Sequence, residues 1–386
     1  MAKLTEKTEI TLGPKVPCSY KENCTGCQYL DFTYSEQVQI KKDHLNKLFI
    51  SKNLSPLEPI EFVSAGEAFL RDRLDFSLQD SRLGLYDKDR KNILDLEVCA
   101  QLSPALQEWL TEFRKIRWPF AKGSIRLRVG PEGQKGVWLD FANVDIKALL
   151  EEQNILKELQ KVAFVEIGQR RKVPFWTGTE FKLRDPQLNV WFQTWLGERA
   201  VDLYCQIASF TQPSLKANKL ICATIADWVQ SFPRSRVLEF GSGIGNLTLP
   251  TLCYAENVVA CEIDELSLQG LQKSLDNLPG DLQPLKNKIT IHRGDFQKKL
   301  TQDFSSFDGI LANPPRSGLM NFLTPLEDLS AEQRPQFFIY MSCFPESMVE
   351  DFARLSACGY TIQKTLIVDQ FPQTAHYEVL SLLQRK

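Results

Sequence analysis

The chain has 386 residues, 43% of them hydrophobic and 24% charged, with a net charge of −2. That length suits two domains with separate cores, and the charge balance argues against a polycationic grip on nucleic acid while leaving room for a local basic face. Met1 to Lys7 lacks the apolar run of a secretory signal and no apolar stretch approaches membrane-spanning length, so a cytoplasmic protein is expected, whose ten cysteines point to metal binding or catalysis before disulfides.

The first informative segment holds Cys18, Cys24 and Cys27, and Cys99 follows far downstream. Four thiolates can hold a [4Fe-4S] cluster, and the Thr25-Gly26 spacer lets Cys24 and Cys27 fold around one inorganic core. Zinc is the rival reading, although zinc sites usually draw on two close ligand pairs. Phe69 to Leu78 and Ser124 to Val129 alternate apolar with polar residues, as half-buried strands do. Between Arg114 and Arg128 stand six basic residues and no acidic one, interleaved with Trp118 and Phe120; Arg170, Arg171 and Lys172 add a second group. Basic residues among aromatics suit a surface that tracks phosphates and stacks bases, so Arg126 and Arg128 are expected to touch RNA. Residues 1–186 are accordingly read as a β-rich, iron-sulfur-bearing, RNA-contacting region.

Near Gln187 the pattern changes to apolar strand runs alternating with amphipathic helices, the mark of an α/β doubly wound sheet. Strands are expected at 236–240, 258–263, 288–292, 308–312, 336–342, 360–369 and 376–383. The last two are joined only by 370–375, too short for a parallel crossover, so the final strand should run antiparallel. A Rossmann-like sheet with this ending is the pattern of class I S-adenosylmethionine-dependent methyltransferases, expected over residues 187–386. Gly241, Gly243, Gly245 and Asn246 form a glycine turn between strand and helix, where backbone can approach a ligand. Glu262 ends the next strand, where a carboxylate can accept both ribose hydroxyls, and Asp295 follows the third, near an adenine edge.

Three features converge on the same sheet edge. Asn313-Pro-Pro-Arg316 ends the fourth strand, Cys343 ends the fifth and Glu378 opens the last. Amine-methylating enzymes place an aromatic residue where Arg316 stands. Carbon 5 of a pyrimidine needs a thiolate added at carbon 6 before it can accept a methyl group, and a base must then remove the carbon 5 proton. A carbon-5 cytosine methyltransferase, a non-catalytic RNA-binding factor and a radical S-adenosylmethionine enzyme remain competing readings.

With these residues the chain resembles the RNA (uracil-5-)-methyltransferases, and in particular their iron-sulfur members acting on 23S ribosomal RNA. The resemblance implies that Cys18, Cys24, Cys27 and Cys99 hold the cluster, that Gln193 contacts the cofactor, that Cys343 is the nucleophile and that Glu378 is the base. Asn313 is counted among the cofactor-side residues and also offers uracil N3–H an acceptor. The seventeen residues before Cys18 match the short type without an amino-terminal TRAM domain. Members lacking the cluster act on transfer RNA. Gly241-Ser242 and Phe344 depart from the family's usual aromatic-Cys and Asn. The implied partners are S-adenosylmethionine and an RNA hairpin, with no DNA and no membrane, and a monomer is expected.

Overall fold

The computed structural model describes residues 16–141, 146–294 and 303–385. Helix α1 (Tyr34–Ser51) opens with a capping box: Thr33 N donates to the Glu36 carboxylate at 2.7 Å, and Glu36 N donates to Thr33 Oγ1. After it, β1 (Glu61–Ser64) leaves the amino-terminal region and pairs in parallel with a strand some 300 residues later. The boundary expected at residue 187 is therefore crossed. The amino-terminal helix and first strand build onto the carboxyl-terminal sheet, because β1 covers an edge that would otherwise expose unpaired backbone.

The β-rich part follows. Strands β2 (Arg73–Gln79), β3 (Arg82–Tyr86) and β4 (Ile93–Asp95) precede α2 (Pro104–Phe113). They are followed by β5 (Lys122–Val129), β6 (Lys135–Asp140), α3 (Ile146–Glu151), α4 (Gln153–Val162) and β7 (Phe164–Ile167). Among the described residues these strands form one sheet in the order β4-β3-β2-β5-β6-β7, antiparallel except for the β6–β7 pair. Its inner face sets Phe76, Ile125, Leu127, Val137 and Leu139 against Leu106, Trp109, Leu110 and Phe113 of α2.

The sheet corrects the expected RNA surface. Arg128 is 1% exposed, and its guanidinium donates to the carbonyls of Trp191, Gln206 and Ile207 and to Thr211 Oγ1. Arg126 is held by Asp75 and donates to the Ala208 carbonyl at 2.6 Å. Trp118 is buried and Phe120 packs on the same core. A carbonyl-lined interior gives an arginine hydrogen-bond acceptors without an anion, so the basic-aromatic pattern here serves a junction between elements. Lys115, Arg117 and Lys122 are the members of the run that face solvent.

A hairpin of β8 (Val173–Trp176) and β9 (Phe181–Arg184) and another of β10 (Asn189–Leu196) and β11 (Arg199–Cys205) lead to α5 (Leu215–Gln230). The doubly wound part then runs β12 (Arg236–Phe240), α6 (Thr248–Leu252), β13 (Asn257–Glu262), α7 (Glu265–Asp276), β14 (Ile289–Arg293) and β15 (Gly309–Ala312). It continues through α8 (Thr324–Glu327), β16 (Phe337–Ser342), α9 (Pro345–Ala357), β17 (Tyr360–Asp369) and β18 (Glu378–Arg385). The sheet order is β1-β17-β18-β16-β15-β12-β13-β14, and β18 is antiparallel to both neighbours. Strand residues alternate between two cores: Val237, Leu311, Ile339 and Leu380 face one, while Leu238, Ile310, Tyr340 and Val379 face the other. Both faces of the sheet are thus covered, which is why β15 and β16 are buried along their whole length. The order reverses direction at β12, between β13 and β15, and this opens a crevice at the carboxyl edge.

Candidate active site and cofactor crevice

The glycine turn after β12 has a conformation that side chains resist. Gly241, Gly243 and Gly245 have φ of +70°, +55° and +94°. A Cβ on Gly241 would stand 2.6 Å from the Asn313 carbonyl oxygen, so β12 and the Asn-Pro-Pro turn approach as closely as bare backbone allows. Around Gly243 there is open space, on the side a ligand would occupy. Glu262 fixes this turn: its carboxylate accepts from Gly243 N at 2.9 Å, Ile263 N at 2.8 Å and Asp264 N at 2.9 Å. Two carboxylate oxygens offer about four acceptor sites, so capacity remains for a ribose hydroxyl.

Asn246, expected on the cofactor side, instead exchanges two amide hydrogen bonds with Asn218 of α5, at 2.7 and 2.8 Å. The helix supplies a complementary carboxamide and the side chain is spent on packing. Gln193 sits on β10, where its side-chain Nε2 donates to Asp202 and its backbone carbonyl accepts from Asn218. Asp295 lies outside the described residues. Glu239, which the sequence reading passed over, is buried in β12 beneath the glycine turn, and burial pushes its carboxyl up to about 8.

At the carboxyl edge, Ser342 pairs with Val379, so the next residues along the antiparallel β16 and β18 are Cys343 and Glu378. Burial raises the Cys343 thiol above its ordinary value, and the neighbouring Glu378 charge raises it further; a hydrogen bond from Arg316 opposes both. Glu378 is 3% exposed, and burial pushes it up to about 8 despite a hydrogen bond from Gln370. Arg316, read in the sequence only as a missing aromatic, thus stands beside the thiol. Gln370 carried no recognisable signal at all.

Comparisons with known proteins give the family. Residues 193–386 match the family model described as tRNA (Uracil-5-)-methyltransferase. An uncharacterized RNA methyltransferase from Bdellovibrio bacteriovorus is 66% identical over 371 residues, covering 96% of each chain. The chain belongs to the RNA uracil-5 methyltransferase family. Among more distant members, a 23S rRNA (uracil(1939)-C(5))-methyltransferase from Histophilus somni is 26% identical, over 95% of this chain and 81% of that one. The crystal structure of Pyrococcus abyssi tRNA (uracil-54, C5)-methyltransferase with S-adenosyl-L-homocysteine superposes with a TM-score of 0.66 at 18% identity, over 93% and 86% of the two chains. That likeness shows the α/β methyltransferase fold.

In this methyltransferase Cys18, Cys24, Cys27 and Cys99 are all partly buried free thiols. Cys24 bridges Asp87 of the turn after β3, and Gly26 N donates to Cys24 Sγ at 3.3 Å. Burial pushes Cys27 up to about 12, and Cys99, Cys24 and Cys18 each add to that rise, which they do only as near neighbours. Among the described residues no three His, Cys, Asp or Glu side chains converge tightly enough for a single metal ion. The same segment reaches the β17–β18 loop through Tyr29 N, which donates to the Gln373 carbonyl at 2.9 Å, and Arg71, just before β2, sets its guanidinium 5.2 Å from the Phe371 ring. Among the described residues, no helix is long and apolar enough to cross a membrane.

Proposed function

We propose that this protein methylates carbon 5 of a uridine in 23S ribosomal RNA. The coarser statement, an RNA uracil-5 methyltransferase using S-adenosylmethionine, follows from the family and fold. The observation that carries the mechanism is the register that sets Cys343 opposite Glu378 at the mouth of the glycine-lined crevice. Arg316 favours the Cys343 thiolate, which adds to uracil carbon 6 and makes carbon 5 nucleophilic. S-adenosylmethionine, when bound, supplies the methyl group to that carbon. Glu378 then takes the carbon 5 proton; the C5–H electrons form the C5=C6 double bond, and the C6–S pair returns to Cys343. Thiolate and carboxylate side by side repel, so the pair holds a proton between them at rest. Addition spreads the sulfur's charge into the uracil ring, and the penalty on an ionised Glu378 falls at the step that needs it.

Supporting the ribosomal target are relatives bearing that name at 25 to 26% identity across most of both chains. Transfer RNA is the second reading, favoured by the family model's own description. Cys18, Cys24, Cys27 and Cys99 are proposed as ligands of a [4Fe-4S] cluster. The support is an all-thiol donor set whose members crowd one another. Bound there, the cluster would supply a crosslink between the amino-terminal segment and the β-rich part. The test is nucleoside chromatography after incubating purified protein with labelled S-adenosylmethionine and either 23S ribosomal or transfer RNA. Labelled 5-methyluridine from the ribosomal RNA is expected. Label confined to transfer RNA overturns the target, and label in 5-methylcytidine overturns the reaction.

A further inference from the structure

Glu378 does not stand alone at the bottom of the site. Its Oε2 accepts from Gln370 Nε2 at 2.9 Å, and the same nitrogen donates to Gln212 Oε1 at 2.8 Å. Gln370 is fully buried and Gln212 is 7% exposed, so both hydrogen bonds are shielded from water. The other end of the Gln370 amide, Oε1, is buried without a hydrogen-bond partner among the described residues. Gln212 lies in the segment between β11 and α5, which the β-rich part straps down. Glu166 accepts from Ile207 N and Ala208 N, while Arg73 and Arg128 donate to Thr211.

A carboxamide has a donor end and an acceptor end, and only the donor end is used while Glu378 is an anion. Protonating Glu378 turns one of its oxygens into a donor, and an unpartnered oxygen then waits on the same amide. We propose that Gln370, braced by Gln212, is a positioning residue that orients the Glu378 carboxylate for proton abstraction and, by turning its amide in step with that of Gln212 so that the Gln212 amide then donates to it, accepts from Glu378 once the proton has arrived. This rests on Glu378 being the base of the proposed reaction. Among the described residues the titratable group facing Glu378 is Cys343, to which Arg316 hydrogen-bonds. Asp369, one residue before Gln370, is neutralised by the buried Lys41 at 2.9 Å.

The test compares Gln370→Leu, Gln212→Leu and Glu378→Gln by pH–rate profile and by the covalent protein–RNA adduct present at steady state. A hydrogen bond to the charged form favours it, so losing the Gln370 donor should move the ascending limb of kcat up by about one pH unit. At pH 7 that is a loss of about tenfold, recovered as pH rises, with KM for RNA and for S-adenosylmethionine little changed. Adduct should accumulate, because elimination is slowed and addition is not. Gln212→Leu, which does not touch Glu378, should shift the limb the same way by less, and it decides the matter if Gln370→Leu fails to bind cofactor. A wild-type profile and wild-type adduct level in the folded variants, beside a stalled adduct in Glu378→Gln, would overturn the assignment to Gln370. Normal turnover by Glu378→Gln would instead remove the base itself.

Discussion

Replacing Glu378 by Gln should inactivate the enzyme and stabilise its fold, with a gain that depends on pH in a calculable way. The carboxyl, ordinarily near 4.5, is pushed up to about 8 by burial at the start of β18. The folded protein therefore holds this proton more tightly than the unfolded chain. The contribution of Glu378 to stability is whole below pH 4.5 and is lost as pH rises through about 8. Over that interval, at ~1.4 kcal/mol per pH unit, the loss is on the order of 4 kcal/mol. Glutamine has the same shape, can still accept from Gln370 and carries no charge to desolvate, so it escapes the loss. Wild type and Glu378→Gln should unfold at nearly the same urea concentration at pH 4.5. By pH 8.5 the variant should be ahead by several kcal/mol, the other buried carboxyls cancelling in the difference. Urea titrations followed by tryptophan fluorescence across this range measure it. A variant no more stable than wild type at pH 8.5, or a difference that does not grow with pH, would refute the claim that Glu378 is held in a water-excluded site.

Cys343→Ala should bind RNA and S-adenosylmethionine yet give no adduct, whereas wild type should be trapped on 5-fluorouridine RNA in a complex that survives denaturing electrophoresis; turnover by the alanine variant would sink the covalent route. Protein purified without oxygen should be brown, with about four iron and four sulfide per chain, and Cys27→Ser should bleach it; one zinc and no sulfide would remove the cluster. Arg128→Leu should cost about 2 to 4 kcal/mol by stranding the carbonyls of Trp191, Gln206 and Ile207, and should leave the salt dependence of RNA binding unchanged. Replacing the exposed Lys115, Arg117 and Lys122 tests whether the solvent-facing part of that run meets phosphate: each lost contact lowers the salt slope by ~1, and an unaltered slope returns them to the solvated surface.

Much of the catalytic half was legible in the chain itself. Apolar runs of strand length, the glycine turn at Gly241 and the short connection before Glu378 specify a doubly wound sheet with an antiparallel last strand, because each is a local signal that backbone sterics enforce. Periodicity cannot say what a polar face meets, and there the tertiary structure decided. Arg126 and Arg128 alternate along β5 like residues of a wet surface, yet the carbonyls they bind come from β10 and the segment after β11, up to 82 residues away. Asn246 carries a family-like glycine-loop signature, but a partner on α5 claims its amide. Strand β1 adds to the edge of a sheet whose other strands begin far downstream, since an unpaired edge takes whichever extended segment the fold delivers. Gln212 and Gln370 are 158 residues apart and ordinary in their local sequence. Only the fold brings them under Glu378, where exclusion of water turns two common side chains into the surroundings that govern a proton.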